Sequence, residues 1–226
     1  MITKKAYRFL PFICGLFVAT LLISVSIAGK LISLGPLTIS ASVILFPLAF
    51  LFSDLLTEVY GYTAARQVIW TGFIAELLLA VCYFVTVALP WPEFFQNQEA
   101  YATVLGQAPR VVVASLCAYL VGEFCNSFTL AKMKVHSEGR YIRARYIAST
   151  MVGQAADSLV FYPIAFLGVI PLLQLPALIA STWLLKVLWE VIALPASIPV
   201  TKALKRLENE DYYDKHTNFS PFRLAD

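Results

Sequence analysis

Six apolar stretches, each about 20 residues long, constrain the fold of this chain more than any other feature of its sequence. An α-helix rises 1.5 Å per residue, so about 20 apolar residues cross the roughly 30 Å hydrocarbon core of a bilayer. The stretches lie at 9–29, 37–57, 66–89, 108–131, 147–170 and 177–200. Charged residues make up only 14% of the chain, against about 25% in soluble domains. The sequence therefore predicts an all-α membrane protein with six transmembrane helices.

The distribution of basic residues predicts how these spans are oriented. Lysine and arginine concentrate in the cytoplasmic loops of membrane proteins. Of the 17 basic residues, all but Lys30, Arg110 and Lys186 fall on one side of the predicted spans, and loop 90–107 has none. Both termini are therefore expected in the cytoplasm. We expect one integral-membrane domain over residues 1–226, with 203–226 as a cytoplasmic tail.

Two similar segments suggest a 3+3 inverted repeat. Residues 46–51 (FPLAFL) of the second span match residues 162–167 (YPIAFL) of the fifth. Each segment lies in the middle span of a three-span half, and the two spans run in opposite directions. Proline-interrupted helices at equivalent positions of two halves are typical of transporters built on inverted repeats. Two unrelated proline kinks remain the alternative.

Five charged residues fall inside the predicted spans: Glu76, Glu123, Asp157, Lys186 and Glu190. An ionised side chain at the centre of a membrane helix costs about 2.5–3.5 kcal/mol on insertion scales, so these groups should face each other or water. The four carboxylates lie at one level, roughly 12–15 Å from the cytoplasmic end of their helices. Four carboxylates at one level indicate a path or site for a small polar solute.

Polar neighbours extend this candidate site. Asn126 follows Glu123 by three positions and Gln154 precedes Asp157 by three, so each amide shares a helix face with a carboxylate. The candidate substrate-binding residues are Glu123, Asn126, Gln154, Asp157, Lys186 and Glu190.

Asp54 and Glu58, four residues apart at the end of the second span, are a candidate gate. The alternatives stay open: the polar groups could only hold helices together by interhelical hydrogen bonds. Lys186 and Glu190 could form an ion pair within one helix, and Asp54 and Glu58 could mark a solvated helix end.

The sequence contains no signature of a catalytic site. A glycine-rich phosphate loop, a His-Glu-x-x-His motif and a Gly-x-Ser-x-Gly motif are all absent. We therefore expect no enzyme, no cofactor and no metal site. A net charge of +3 is too small to indicate a nucleic-acid partner. The expected partners are a small-molecule substrate and the lipid bilayer, and a homo-oligomer is an open alternative.

Several blocks of sequence carry a resemblance to a known family. They are DLLTEVYGY at 54–62, GEFCNSFTLAKMK at 122–134, STMVGQAADS at 149–158, KVLWEVIALP at 186–195 and EDYYDKHTNFSPF at 210–222. In this order, over roughly residues 28–222, the chain resembles the queuosine precursor transporters, also described as putative vitamin uptake transporters.

The resemblance implies a bacterial inner-membrane importer of 7-deazaguanine bases, which are salvaged into tRNA modification. A carboxylate would then accept two N–H groups from the base edge, and Asn126 or Gln154 would bind the remaining polar edge. Tyr119, Phe161 and Trp189 could stack on the ring. Two alternatives stay open: a substrate-binding membrane subunit that needs a separate ATPase module, and a membrane assembly or enzyme role. Proton-coupled and facilitated transport are both compatible with the sequence.

Overall fold

The computed structural model describes residues 7–28, 30–34, 37–106, 109–169 and 171–223. Its α-helices are α1 (Leu10–Ile27), α2 (Phe46–Leu55), α3 (Tyr62–Ala88), α4 (Gln98–Leu105), α5 (Pro109–His136), α6 (Ile142–Phe166) and α7 (Leu175–Glu208). Strands β1 (Leu31–Leu34) and β2 (Leu37–Ser40) form an antiparallel hairpin in which Leu31 lies opposite Ser40. A π-helical turn, Leu56–Tyr60, follows α2, and short 3₁₀ turns cover Ala41–Ile44 and Leu172–Gln174.

Within this part of the chain, four helical stretches are long and apolar enough to cross a membrane. They are α1, α3, the region that contains α4 and α5, and α7 with the 3₁₀ turn before it. The prediction of an all-α membrane protein is thus confirmed. α6 is also 25 residues long, about 37 Å at 1.5 Å per residue. α6 is not one of these four, and it carries polar residues, among them Ser149, Gln154 and Asp157.

The second predicted span, 37–57, is wrong in its first part. Residues Leu37–Ser40 are a strand, and α2 begins only at Phe46. The segment before α2 is rich in β-branched residues, which favour extended backbone. Pro47 lies in the first turn of α2, where proline fits a helix well.

The two prolines of the predicted repeat occupy different places in their helices. Pro47 lies at the start of α2, whereas Pro163 lies inside α6. The inverted repeat therefore stays a prediction. The cytoplasmic tail over 203–226 also stays a prediction; α7 continues to Glu208, so residues 203–208 of this segment are helical.

Contacts between helix ends define two ends of the bundle. At one end, here called the basic end, Lys134 of α5, Arg145 of α6 and Lys205 of α7 all lie around Glu58 of the π-helical turn. At the other, here called the far end, Arg110 of α5 donates hydrogen bonds to the carbonyl groups of Ile164 and Leu167. Large apolar side chains between the ends point outward, as expected for contact with acyl chains: Ile74, Leu78, Phe84, Leu184 and Leu188.

α5 and α6 approach each other closely because each has a glycine at their crossing. A Cβ atom on Gly122 would press on Asp157 and the Gly153 carbonyl oxygen, and one on Gly153 would press on Asn126. Small residues allow membrane helices to pack backbone to backbone. This contact sets Glu123 and Asn126 of α5 against Gln154 and Asp157 of α6.

Candidate functional site

A cavity of about 170 Å³, here called the central cavity, lies inside the helix bundle. α1 and α2 supply apolar walls, including Leu21, Val25 and Phe50. The polar lining comes mostly from the other helices and consists of Ser24, Glu76, Ser115, Tyr119, Glu123, Gln154, Asp157 and Lys186. Four of the six candidate substrate-binding residues therefore meet at one place.

Glu123 and Asp157 face the central cavity with different partners. Ser53 Oγ donates a hydrogen bond to Glu123 Oε2 at 2.5 Å. Lys186 Nζ lies 2.5 Å from Asp157 Oδ2, so this ion pair joins α7 to α6. The sequence left open a pair between Lys186 and Glu190 within α7; the contact that the structure shows, with Asp157, bridges two helices.

Gln154 and Glu76 carry polar atoms without partners. Gln154 is 5% exposed, and its Oε1 has no hydrogen-bond partner among the described residues. Glu76 is 4% exposed and receives one long hydrogen bond, 3.4 Å, from Ser115 Oγ to its Oε1. Glu76 Oε2 has no partner in the same part of the chain. Such groups are costly in a dry cavity, so they indicate a place for a polar ligand or water.

Asn126 and Glu190 lie outside the lining of the central cavity. Asn126 Nδ2 donates to Asp54 Oδ1 at 3.1 Å, which ties α5 to α2. Both residues are fully buried, and Asp54 Oδ2 and Asn126 Oδ1 have no partner among the described residues. Glu190 is also buried and lies close enough to Asp54 for their charges to interact. These three residues form a polar layer beside the central cavity.

Sequence reasoning left Glu76 and Ser53 out of the candidate site. The signal for Glu76 was present, because it is a carboxylate inside a span at the same level as the others. Ser53 had no such signal, since serine is common in helices and only the packing of α2 on α5 brings it to Glu123.

The basic end is closed by a buried ion network centred on Glu58. Arg145 binds the Glu58 carboxylate with two hydrogen bonds, 2.6 and 2.9 Å long, and Lys205 adds a third at 2.7 Å. Lys134 donates to the Glu58 carbonyl oxygen and lies 3.9 Å from its carboxylate. Glu58 and Arg145 are almost fully buried. The candidate gate residue Glu58 therefore holds α5, α6 and α7 together.

With the fold and this geometry established, comparison with known proteins identifies the family. The family described as putative vitamin uptake transporter matches residues 40–200. The chain belongs to this family. It is a multi-pass transporter protein of the bacterial inner membrane.

Relatives of this transporter carry more specific names. The chain is 28% identical over 176 residues to a probable queuosine precursor transporter of Bacillus subtilis, covering 77% of each chain. It is 29% identical over 121 residues to a queuosine precursor transporter of Escherichia coli, covering 54% of this chain and 52% of that one. A probable queuosine precursor transporter of Haemophilus influenzae is 28% identical over 124 residues, and the match spans 49% of it. No solved structure matches the chain significantly.

The C-terminal tail of this transporter, outside the region that matches the family, packs on the basic end. Asp214 accepts hydrogen bonds from the Tyr62 amide at the start of α3, both at 3.1 Å. Arg66 donates to the carbonyl oxygens of Asn218 and Ser220 at 2.7 and 2.8 Å. Trp70 donates to the Pro221 carbonyl at 2.8 Å. The tail thus lies against the first part of α3, and its backbone carbonyl groups accept hydrogen bonds from that helix.

Two ionisable groups of the end segments have pKa values that are shifted by their contacts at the basic end. Burial raises the pKa of Asp211, but hydrogen bonds from Lys134 and Lys205 outweigh it and hold that pKa below its usual value. Burial and the nearby Glu210 carboxylate raise the pKa of Tyr7 to about 12. Both residues link the chain ends to the helices at the basic end.

Proposed function

We propose that this transporter imports queuosine precursors, 7-deazaguanine bases, across the inner membrane for salvage into tRNA modification. The observation that carries the proposal is the central cavity, where carboxylates and an amide from separate helices surround a space of about 170 Å³. Sites for drug-sized ligands usually measure about 300–1,000 Å³, so this space suits a single small ring system. The names of the three relatives support the same substrate class.

The lining offers the chemistry that such a base requires. A deazaguanine edge presents adjacent N–H donors, and the Glu123 carboxylate can accept both in the strong charge-assisted geometry. The free Oε1 of Gln154 can accept a further N–H group. Tyr119 provides an aromatic face beside the cavity. The Asp157 carboxylate can accept a hydrogen bond from the base, and the Lys186 ammonium group can donate one.

We assign the remaining candidate residues to the route out of the cavity. Asp54, Asn126 and Glu190 form the neighbouring polar layer, and Glu58 lies at the basic end. In our proposal the basic end faces the cytoplasm, as the distribution of lysine and arginine favours. The Glu58 network would then be a closed inner gate, and release of the base would require Glu58 to part from Arg145 or Lys205.

Six membrane crossings are consistent with the path of the chain. α1 and α3 both begin at the basic end, so the chain must return there between them, through the hairpin, α2 and the π-helical turn. α5, α6 and α7 then alternate in direction, which gives α6 a crossing of its own.

Uptake in a strain that cannot synthesise queuosine tests the proposal. With the gene present and precursor supplied at nanomolar concentration, queuosine should return to tRNA, and with an empty vector it should not. Equal recovery with both would contradict transport by this chain. Purified protein in liposomes without nucleotide tests the alternative, because a subunit that needs an ATPase module would not transport there.

A further inference from the structure

Glu76 is the buried charged group of the central cavity that the substrate chemistry leaves unused. It lies on α3, is 4% exposed, and has one carboxyl oxygen without a partner among the described residues. Its other oxygen receives only the 3.4 Å hydrogen bond from Ser115. A carboxylate this poorly solvated is expensive when ionised and far cheaper when it carries a proton.

The charges around Glu76 do not balance. The central cavity is lined by three carboxyl groups, Glu76, Glu123 and Asp157, and its one lysine, Lys186, is paired with Asp157. The helices that pack around Glu76 contribute Ser115, Tyr119 and Glu123 from α5, Asp157 from α6 and Lys186 from α7. α1 contributes Ser24, Leu21 and Val25, and α2 contributes Ala49 and Phe50, none of them charged. Among the described residues that line this cavity, two carboxyl groups therefore have no cation beside them.

A proton fits this place better than a metal ion. Ca²⁺ and Mg²⁺ take about six or more oxygen ligands. The part of the chain described by the structure holds no group of three or more metal-binding side chains. A single carboxyl oxygen without a partner, as in Glu76, can be neutralised by one bound proton.

The position of Glu76 points to the side from which that proton comes. A groove of about 500 Å³, here called the outer groove, runs between α3 and α5 toward the far end. It includes Ala88 at the end of α3, Leu105 of α4 and Pro109 at the start of α5. Glu76, Ser115 and Val25 line both the outer groove and the central cavity, so Glu76 lies where the two meet.

We propose that Glu76 is the proton-binding group that couples uptake of the base to the proton gradient. This inference rests on the proposed function. A hydronium ion that enters through the outer groove gives a proton to the ionised Glu76 Oε2. One O–H bond of the hydronium ion breaks and leaves water, and the new O–H bond leaves a neutral side chain beside the bound base. When the basic end opens, the same O–H bond breaks and the proton passes to cytoplasmic water. One proton enters with each base, and no other reactant is needed.

Transport by the purified protein in liposomes tests the coupling, with the neutral 7-cyano precursor as the probe. An inward proton gradient should drive wild-type accumulation of up to about tenfold per pH unit for one proton. A protonophore should abolish this accumulation, and a sodium gradient should not drive it. Addition of the probe should also make the outer medium more alkaline, which measures proton entry without any variant.

Glu76→Gln should lose the gradient-driven accumulation while retaining exchange of internal for external probe, which shows that the variant is folded. Glu76→Asp should retain part of the accumulation. Glu99→Gln, an exposed carboxyl group on α4, is the matched control and should behave as wild type.

Wild-type accumulation driven by sodium, or accumulation without proton entry, would overturn the inference but not the proposed function. Gradient-driven accumulation by Glu76→Gln at the wild-type level would do the same. Failure of the wild type to exchange the probe at all would instead contradict the proposed function.

Discussion

At the scale of single residues, the ion pair between Asp157 and Lys186 can be interpreted in two ways. The two interpretations predict different effects of replacing both residues. Both side chains are 22% exposed and face the central cavity. A pair that only fastens α6 to α7 would be replaceable by two neutral residues, because removing both charges leaves none unpaired. A pair that binds substrate would not be replaceable.

The prediction is that uptake falls roughly tenfold or more for Asp157→Asn and stays low in the double variant Asp157→Asn with Lys186→Met. A lost charge-assisted contact of about 1.5–3 kcal/mol is sufficient for this loss. Uptake of precursor at a fixed protein level measures it. Recovery of uptake in the double variant would show that the pair is structural. Arg140→Met is a suitable control, because Arg140 makes an exposed ion pair of 3.9 Å with Glu138.

The sequence predicted some residues of this site better than others, because their positions depend on different physical features. Four predicted residues line the cavity because periodicity places carboxylates on helix faces, and membrane depth then brings those faces together. Asn126 shares the same periodicity but turns toward Asp54, since the close α5–α6 contact at Gly122 and Gly153 sets the rotation of α5. Rotation of a helix about its axis is a property of packing, which the pattern of one sequence does not contain.

At the scale of elements, apolar runs predicted the long helices well and the second span poorly. A continuous apolar run does not distinguish a strand from a buried helix, so the hairpin before α2 was predicted as part of a helix.

The tail differs from the spans because its sequence is polar and aromatic, not apolar. Its polar and aromatic residues bind helix ends, as Asp214 does at the α3 amide of Tyr62, where a negative charge complements the helix dipole.

The crossing of α5 and α6 is the element contact on which the site depends most, and Gly153→Ala should weaken it. The added Cβ would meet Asn126 and the Gly122 carbonyl oxygen, so α5 and α6 would have to separate. We expect a lower melting temperature in detergent and reduced uptake. Gly15→Ala on α1 is the matched control, because a Cβ there meets nothing within 4 Å. That change should be neutral or stabilise the helix by up to about 1 kcal/mol. Equal melting temperatures for the two variants would contradict the importance of the crossing.

At the scale of the whole molecule, one arrangement accounts for both the polar interior and the two different ends. Carboxylates and one amide meet at the central cavity, an ion network and the tail cover the basic end, and an apolar groove leads to the far end. The structure thus has the asymmetry of a transporter that is closed on one side. The distribution of basic residues predicts which side faces the cytoplasm, and this orientation can be tested directly.

Cysteine labelling should place the basic end in the cytoplasm and the far end in the periplasm. The background is a variant in which Cys14, Cys82, Cys117 and Cys125 are replaced by serine or alanine and uptake is retained. Single cysteines then replace Glu138 in the turn between α5 and α6, His216 in the tail, or Glu99 on α4, all of which are exposed.

In intact spheroplasts, a membrane-impermeant maleimide should label the cysteine at position 99 and leave those at 138 and 216 unlabelled. After the membrane is opened, all three should be labelled, which controls for accessibility. The physical reason is that lysine and arginine in short loops stay on the cytoplasmic side during insertion, and loop 90–107 has neither. Labelling at position 138 in intact spheroplasts would reverse the orientation. The Glu58 network would then be an outer gate, and Glu76 would receive its proton from the cytoplasm.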